Sequence, residues 1–140
     1  MQVDKQTIIV VFGGTGDLMQ NKIAPSLYYL LSKSDSKNTK ILGCGRSQYS
    51  DETYKSFLKV GIDKKLNIDA EENILANFNY LQGDLNETIF YENLNDYLQS
   101  EKLKSNELNV VIYFSVMPEL FSHNSKVKRL GKNRESKIDH

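Results

Sequence analysis

The residues best suited to chemistry are the five that run Gly13-Gly14-Thr15-Gly16-Asp17. They follow an unbroken apolar run, Thr7 to Phe12, and precede a helical pattern that starts at Leu18. A turn so placed leaves the first backbone N–H groups of the helix without intrahelical acceptors. Those donors, aligned with the helix dipole, favour a pyrophosphate. Gly13 permits a tight turn, Gly16 lets the backbone approach a ligand with no Cβ in the way, and Thr15 adds a hydroxyl. The strict G-x-G-x-x-G fingerprint is not met, because the spacing is Gly13-x-x-Gly16 and Met19 occupies the position three further on. A plain strand-to-helix turn needs one glycine, whereas this one carries three. We therefore read Gly13 to Asp17 as a dinucleotide phosphate loop.

Arg46 decides which dinucleotide. In such folds the end of the second strand faces the adenosine ribose. An acidic residue there reads the hydroxyls of NAD, and an arginine accommodates the 2′-phosphate of NADP. Here the second strand runs into Gly45-Arg46-Ser47, with no carboxylate before Asp51. A planar guanidinium pairs with phosphate and stacks on an adenine face. The expected cofactor is NADP.

These residues need a scaffold, and the hydrophobic pattern supplies one. The run TIIVVF is continuously apolar, as a strand buried on both faces of a parallel sheet requires. Leu18, Ile23, Leu27, Leu30 and Leu31 recur at helical spacing, interrupted by Pro25, which predicts a kink or restart and a firm helix from Pro25 to Ser32. Lys40 to Cys44 reads as a second strand whose end is weakened by Gly43 and Gly45. Ser50-Asp51-Glu52-Thr53 offers a cap and an acidic first turn for a helix to about Leu66. A short helix follows at Asp69 to Ala76, then a strand at Phe78 to Leu81 ended by Gly83-Asp84. A helix over Asn86 to Leu103 carries the stripe Ile89, Phe90, Leu94, Tyr97 and Leu98, and a last strand spans Asn109 to Val116. Strands alternating with helices imply an α/β fold: a Rossmann-like, doubly wound, mostly parallel sheet of about four strands.

Composition narrows the class. The chain has 140 residues, 39% apolar, with 18 basic and 18 acidic residues, so bulk attraction to nucleic acid or anionic membrane is not expected. Cys44 is the single cysteine, which excludes an intramolecular disulfide and suits a reducing compartment. The start Met1-Gln2-Val3-Asp4-Lys5 lacks the pattern of a secretory signal. The expectation is a soluble, cytoplasmic chain with a small-molecule ligand and no nucleic-acid or membrane partner; nothing in the pattern sets an oligomeric state.

Val11 to Leu30 (VFGGTGDLMQNKIAPSLYYL) closely resembles the amino-terminal signature of the glucose-6-phosphate dehydrogenase family. There a G-A/G-S/T-G-D-L motif precedes a basic stretch, a proline and an apolar helix. The likeness continues through Ile41 to Ser47, Tyr80 to Asp84, and Tyr113 to Pro118, where the family has Y-L-A-x-P-P, and so covers roughly residues 7 to 121. It implies the NADP-binding portion of an oxidoreductase that moves hydride from C1 of glucose 6-phosphate to NADP in the pentose phosphate pathway. By that resemblance Gly13, Gly14, Thr15, Gly16, Asp17 and Leu18 contact the cofactor phosphates, Arg46 and Ser47 hold the 2′-phosphate, and Lys22 reaches toward the sugar phosphate. Gln20 and Asn21 depart from the family's basic residues, and Met117 replaces the first of two prolines.

Other family segments are missing. The chain contains no E-K-P-F-G, and its only histidines are His123 and His140. Lys137-Ile138-Asp139-His140 echoes the start of the family's R-I-D-H-Y-L-G-K, which we read as chance, and His123 reads as a surface residue. No catalytic residue or metal ligand is therefore assigned. We expect a truncated NADP-binding domain at 1–121 and a basic, disordered tail at 122–140, in a truncated or frameshifted gene product inactive by itself. Glucose 6-phosphate would bind only if the missing domain were supplied. A free-standing NADP-binding module and a non-functional remnant are the alternatives.

Overall fold

The apolar run at 7–12 becomes the middle of a parallel sheet in a computed structural model, which describes residues 3–34 and 37–115. The strands are β1 (Val3–Phe12), β2 (Thr39–Gly45), β3 (Phe78–Gln82) and β4 (Ser105–Phe114), in the order β3-β2-β1-β4. Helices α1 (Ala24–Ser32), α2 (Asp51–Leu66) and the short α3 (Glu72–Leu75) pack on one face, and α4 (Thr88–Lys102) on the other. Successive side chains of β1 feed opposite layers. Val11 joins Ile41, Phe78, Tyr54, Leu58 and Ile62, while Ile8, Val10 and Phe12 join Leu42, Phe90 and Leu94. Burial on both faces explains the absence of alternation in the sequence run. The fold is α/β, Rossmann-like and doubly wound.

The elements fall where the sequence places them, with informative shifts. β1 begins at Val3 and β4 at Ser105, because the ladder continues through pairs with polar members such as Lys5↔Glu107 and Gln6↔Leu108. Hydrophobic pattern cannot see a ladder built on backbone groups with polar side chains. The interruption at Pro25 takes the form of a π-helical segment, Met19–Ile23, in which the Ala24 N–H reaches back to the Met19 carbonyl. Pro25 then occupies the first turn of α1, where a missing N–H is tolerated. The wider turn also breaks the helical phase. Leu18, placed on the apolar stripe by periodicity, is exposed, whereas Met19 is buried; within regular α1, Leu30 is exposed while Tyr28 and Leu31 are buried. In α4, Ile89 is likewise exposed, and Tyr91 takes its place beside Phe90 and Leu94.

α2 obeys its signals closely. The Ser50 side chain accepts from the Thr53 N–H and Thr53 returns a bond to the Ser50 N–H, a reciprocal capping box. Asn67, at φ 56°, ends the helix in the left-handed region.

A polar lock closes the amino end of the strands. Glu101, at the end of α4, accepts from Lys40 on β2 at 2.8 Å, from Gln6 on β1 at 3.0 Å, and from Lys104 at 2.9 Å. The stretch 122–140, including His123 and the Lys137–His140 echo, lies outside the described residues, as do Val116, Met117 and Pro118.

Candidate functional site

Strand order reverses beside β1: β2 and β3 lie to one side and β4 to the other. In open α/β sheets, ligands bind in the crevice at the carboxyl ends of the strands near such a reversal. A cleft of about 300 Å³ opens there, lined by Gly13, Thr15, Gly16, Arg46, Asp84 and Ser115 among others.

The glycine loop is built from three glycines with three different jobs. Gly13 sits at φ 83°, a region that disfavours any side chain, and makes the turn out of β1. Gly14 is buried against β2, where a Cβ would come within 2.8 Å of the Cys44 nitrogen and the Gly43 Cα. Both Gly13 and Gly14 donate their N–H to the Cys44 carbonyl, at 3.1 and 2.8 Å, and the Gly14 carbonyl accepts from the buried Tyr54 hydroxyl at 2.7 Å. Gly16 differs. It is exposed, and a Cβ there would meet nothing nearer than the Gly13 carbonyl at 3.8 Å. Packing within the protein does not require glycine at that position, and its bare backbone lines the cleft.

The loop presents donors because of where its helix begins. The first helical bond runs from the Gln20 N–H to the Gly16 carbonyl, at 3.1 Å. Ahead of it, the amides of Thr15, Asp17 and Leu18 carry no acceptor among the described residues. From β4, the Ser115 hydroxyl is shared between the carbonyls of Phe12 at 2.7 Å and Gly13 at 2.9 Å, which fixes the loop to the strand end.

Across the cleft stands Arg46. It is exposed and forms no ion pair among the described residues. Its carbonyl accepts from the Gln82 side chain at 3.2 Å, and the Ser47 carbonyl accepts from the Tyr80 hydroxyl. Burial pushes the Tyr80 phenol up to about 12, so it stays protonated as a donor at neutral pH. Tyr49, packed against Tyr54, Phe57 and Tyr80 with ring centroids 5.5–5.9 Å apart, anchors the far side of the same loop. Asp84 is the one carboxylate among the described residues that line the cleft, and its Oδ1 accepts the Asn86 N–H at 2.9 Å. Asp51 is engaged elsewhere, accepting the Tyr80 N–H at 3.0 Å.

The structure thus gathers Gly13, Thr15, Gly16 and Arg46 into one cleft and places Gly14 behind the loop as scaffold. Asp17 and Ser47 are exposed close by without lining it. Leu18 and Lys22 line a second groove of about 280 Å³ with Val11, Ile23, Leu27 and Tyr113. Gln20, which departs from the family's basic pattern, donates its side-chain amide to the Phe57 carbonyl of α2 at 2.8 Å.

Sequence reasoning missed Tyr54, Tyr80 and Ser115. The available signal was Gly43-x-Gly45. These glycines do more than weaken a strand, for a Cβ at Gly43 would lie 1.9 Å from the Tyr54 hydroxyl and one at Gly45 would lie 2.9 Å from Thr15 Oγ1. Cys44 between them is buried, and burial pushes its thiol far up, so it contributes its carbonyl and not its sulfur. Among the described residues there is no cluster of metal-ligating side chains and no helix long and apolar enough to cross a membrane.

Residues 10–138 match the family model described as "Glucose-6-phosphate dehydrogenase, NAD binding domain", a match that runs past residue 121 into the basic stretch. The chain is similar to glucose-6-phosphate 1-dehydrogenase of Borreliella burgdorferi, 28% identical over 113 residues that cover 81% of the chain and 22% of the relative. It is similar to that of Buchnera aphidicola at 30% identity, covering 79% of the chain and 22% of the relative. A solved glucose-6-phosphate dehydrogenase in complex with its substrate glucose-6-phosphate superposes with a TM-score of 0.74 at 27% identity, covering 92% of this chain and 28% of that one. The chain therefore spans less than a quarter of the length of these two curated relatives.

Proposed function

Because this chain belongs to the glucose-6-phosphate dehydrogenase family through its NAD-binding domain, we propose that it is the NADP-holding part of a glucose-6-phosphate 1-dehydrogenase. The observation that carries the reading is the pairing, across one cleft, of a bare glycine backbone at Gly16 with an arginine, Arg46, that has no ion pair among the described residues. The amides of Thr15, Asp17 and Leu18 give the pyrophosphate its donors, and the helix start adds a favourable dipole. Arg46, with Ser47 beside it, meets the 2′-phosphate, and the absence of a free carboxylate at the end of β2 removes the group that reads NAD. When bound, NADP supplies the hydride acceptor.

Lys22, exposed on the π-helical segment, faces the second groove and is assigned to the phosphate of the sugar substrate by family resemblance. Hydride transfer also needs a base within hydrogen-bond reach of the sugar hydroxyl. The described residues of the cleft supply no imidazole, and their one carboxylate, Asp84, is engaged by Asn86. We accordingly assign binding to this stretch and turnover to the rest of a complete enzyme, in a cytoplasmic setting. Calorimetric titration of the full chain with NADP and with NAD tests the reading. Tighter binding of NADP is expected, and equal affinities would remove the assignment of Arg46.

A further inference from the structure

The loop at 46–48 is held in an unusual way for a surface turn: two successive carbonyls are taken by side chains of β3. Gln82 Nε2 donates to the Arg46 carbonyl at 3.2 Å, and the Tyr80 hydroxyl donates to the Ser47 carbonyl at 2.5 Å. All peptide bonds among the described residues are trans, and in a planar trans peptide the N–H points opposite to the C=O of the same unit. With both carbonyls turned to β3, the N–H groups of Ser47 and Gln48 are turned away from it. Neither N–H has an acceptor among the described residues, and both residues are exposed. Successive amides pointing one way form a concave donor site for an anion.

We infer that Tyr80 and Gln82 are positioning residues for recognition of the 2′-phosphate: by holding two carbonyls they present the amides of Ser47 and Gln48 beside the Arg46 guanidinium. This rests on the NADP reading above and extends it. Arg46 contributes charge, and β3 contributes the orientation of the backbone donors. Without Tyr80 and Gln82, either peptide is free to rotate and aim a carbonyl oxygen at the phosphate, replacing attraction by repulsion. The aromatic packing of Tyr80 against Tyr49 and Tyr54 involves the ring alone, so loss of the hydroxyl leaves that contact in place.

The test uses the full chain with Tyr80→Phe and Gln82→Met, titrated with NADP, NAD and adenosine 2′,5′-bisphosphate. Each variant should weaken NADP and the bisphosphate about five- to tenfold, as for one ordinary hydrogen bond, with NAD affinity unmoved. Equal weakening of NADP and NAD, or no change in either, overturns the inference. A wild-type chain that binds NADP no better than NAD fails the cofactor reading instead, and backbone order parameters then decide the positioning claim separately. In Tyr80→Phe the values at 46–48 should fall from the rigid range near about 0.85 to below about 0.6. Unchanged values there overturn it.

Discussion

The two ends of the sheet treat charge in opposite ways. At the amino end Glu101 is 4% exposed and its charge is paired: Lys40, Lys104 and Gln6 all donate to it, and the Gln6 Oε1 is the one buried polar side-chain atom among the described residues left without a partner. Burial alone would raise the Glu101 carboxyl, but those three hydrogen bonds outweigh it and hold the group below the usual carboxylate value. At the carboxyl end, Arg46 has no ion pair and the amides of Thr15, Asp17 and Leu18 have no acceptors among the described residues. A paired charge stabilises the fold and is finished with. An unpaired one, flanked by unused donors, leaves its capacity to bind an anion open.

Substitutions should separate the ends. The largest effect is expected from Glu101→Ala, which takes the acceptor from Lys40, Lys104 and the buried Gln6 amide at once and costs about 3 kcal/mol of stability in denaturant titration, with NADP affinity unchanged. A parallel loss of affinity would mean that the ends are coupled. Gly16→Val should do the reverse. Gly16 is exposed and a Cβ there meets no clash, so the melting temperature should hold, while affinity for NADP and NAD falls about a hundredfold, or about 2.7 kcal/mol. Arg46→Glu sharpens the contrast further: NADP alone should weaken, about thirtyfold or about 2 kcal/mol, with folding unaffected.

Acid supplies the smallest effect. The folded pKa of Glu101 is depressed below its ordinary 4.5, so its contribution is fully present above that value and is lost as pH falls through the lowered one. Stability should thus decline below about pH 4.5 in the wild type, and Glu101→Gln should flatten part of that decline. A pH profile identical in the two proteins would remove Glu101 from the lock.

Much of this was legible in the residues. The TIIVVF run, the Ser50 cap and the glycine loop each announce themselves because one local rule suffices: continuous apolarity, a side chain aimed at a free amide, a turn without Cβ. The missed parts depend on partners distant in sequence. Tyr54 reaches a carbonyl 40 positions away and Ser115 one 102 positions away, and no spacing rule connects them. The polar extensions of β1 and β4 were hidden for a related reason, since their ladders are backbone pairs that any side chain permits. Periodicity misplaced Leu18 because it assumes one winding throughout the helix, and the π-helical segment changes that winding at 19–23; Leu30 lies in regular α1, on the side turned away from Tyr28 and Leu31.

That segment has a genetic meaning. A π turn is an α-helix with one residue inserted. Loss of a single codon within 19–23 would restore regular winding and turn whatever precedes the deletion by about 100° relative to α1. Leu18 would then swing from the groove it lines, while Tyr28 and Leu31, downstream, would keep their seats in the core. An in-frame deletion there therefore redirects the groove-facing turn and unseats Met19 from the core, while the part of the core fed by α1 stays in place.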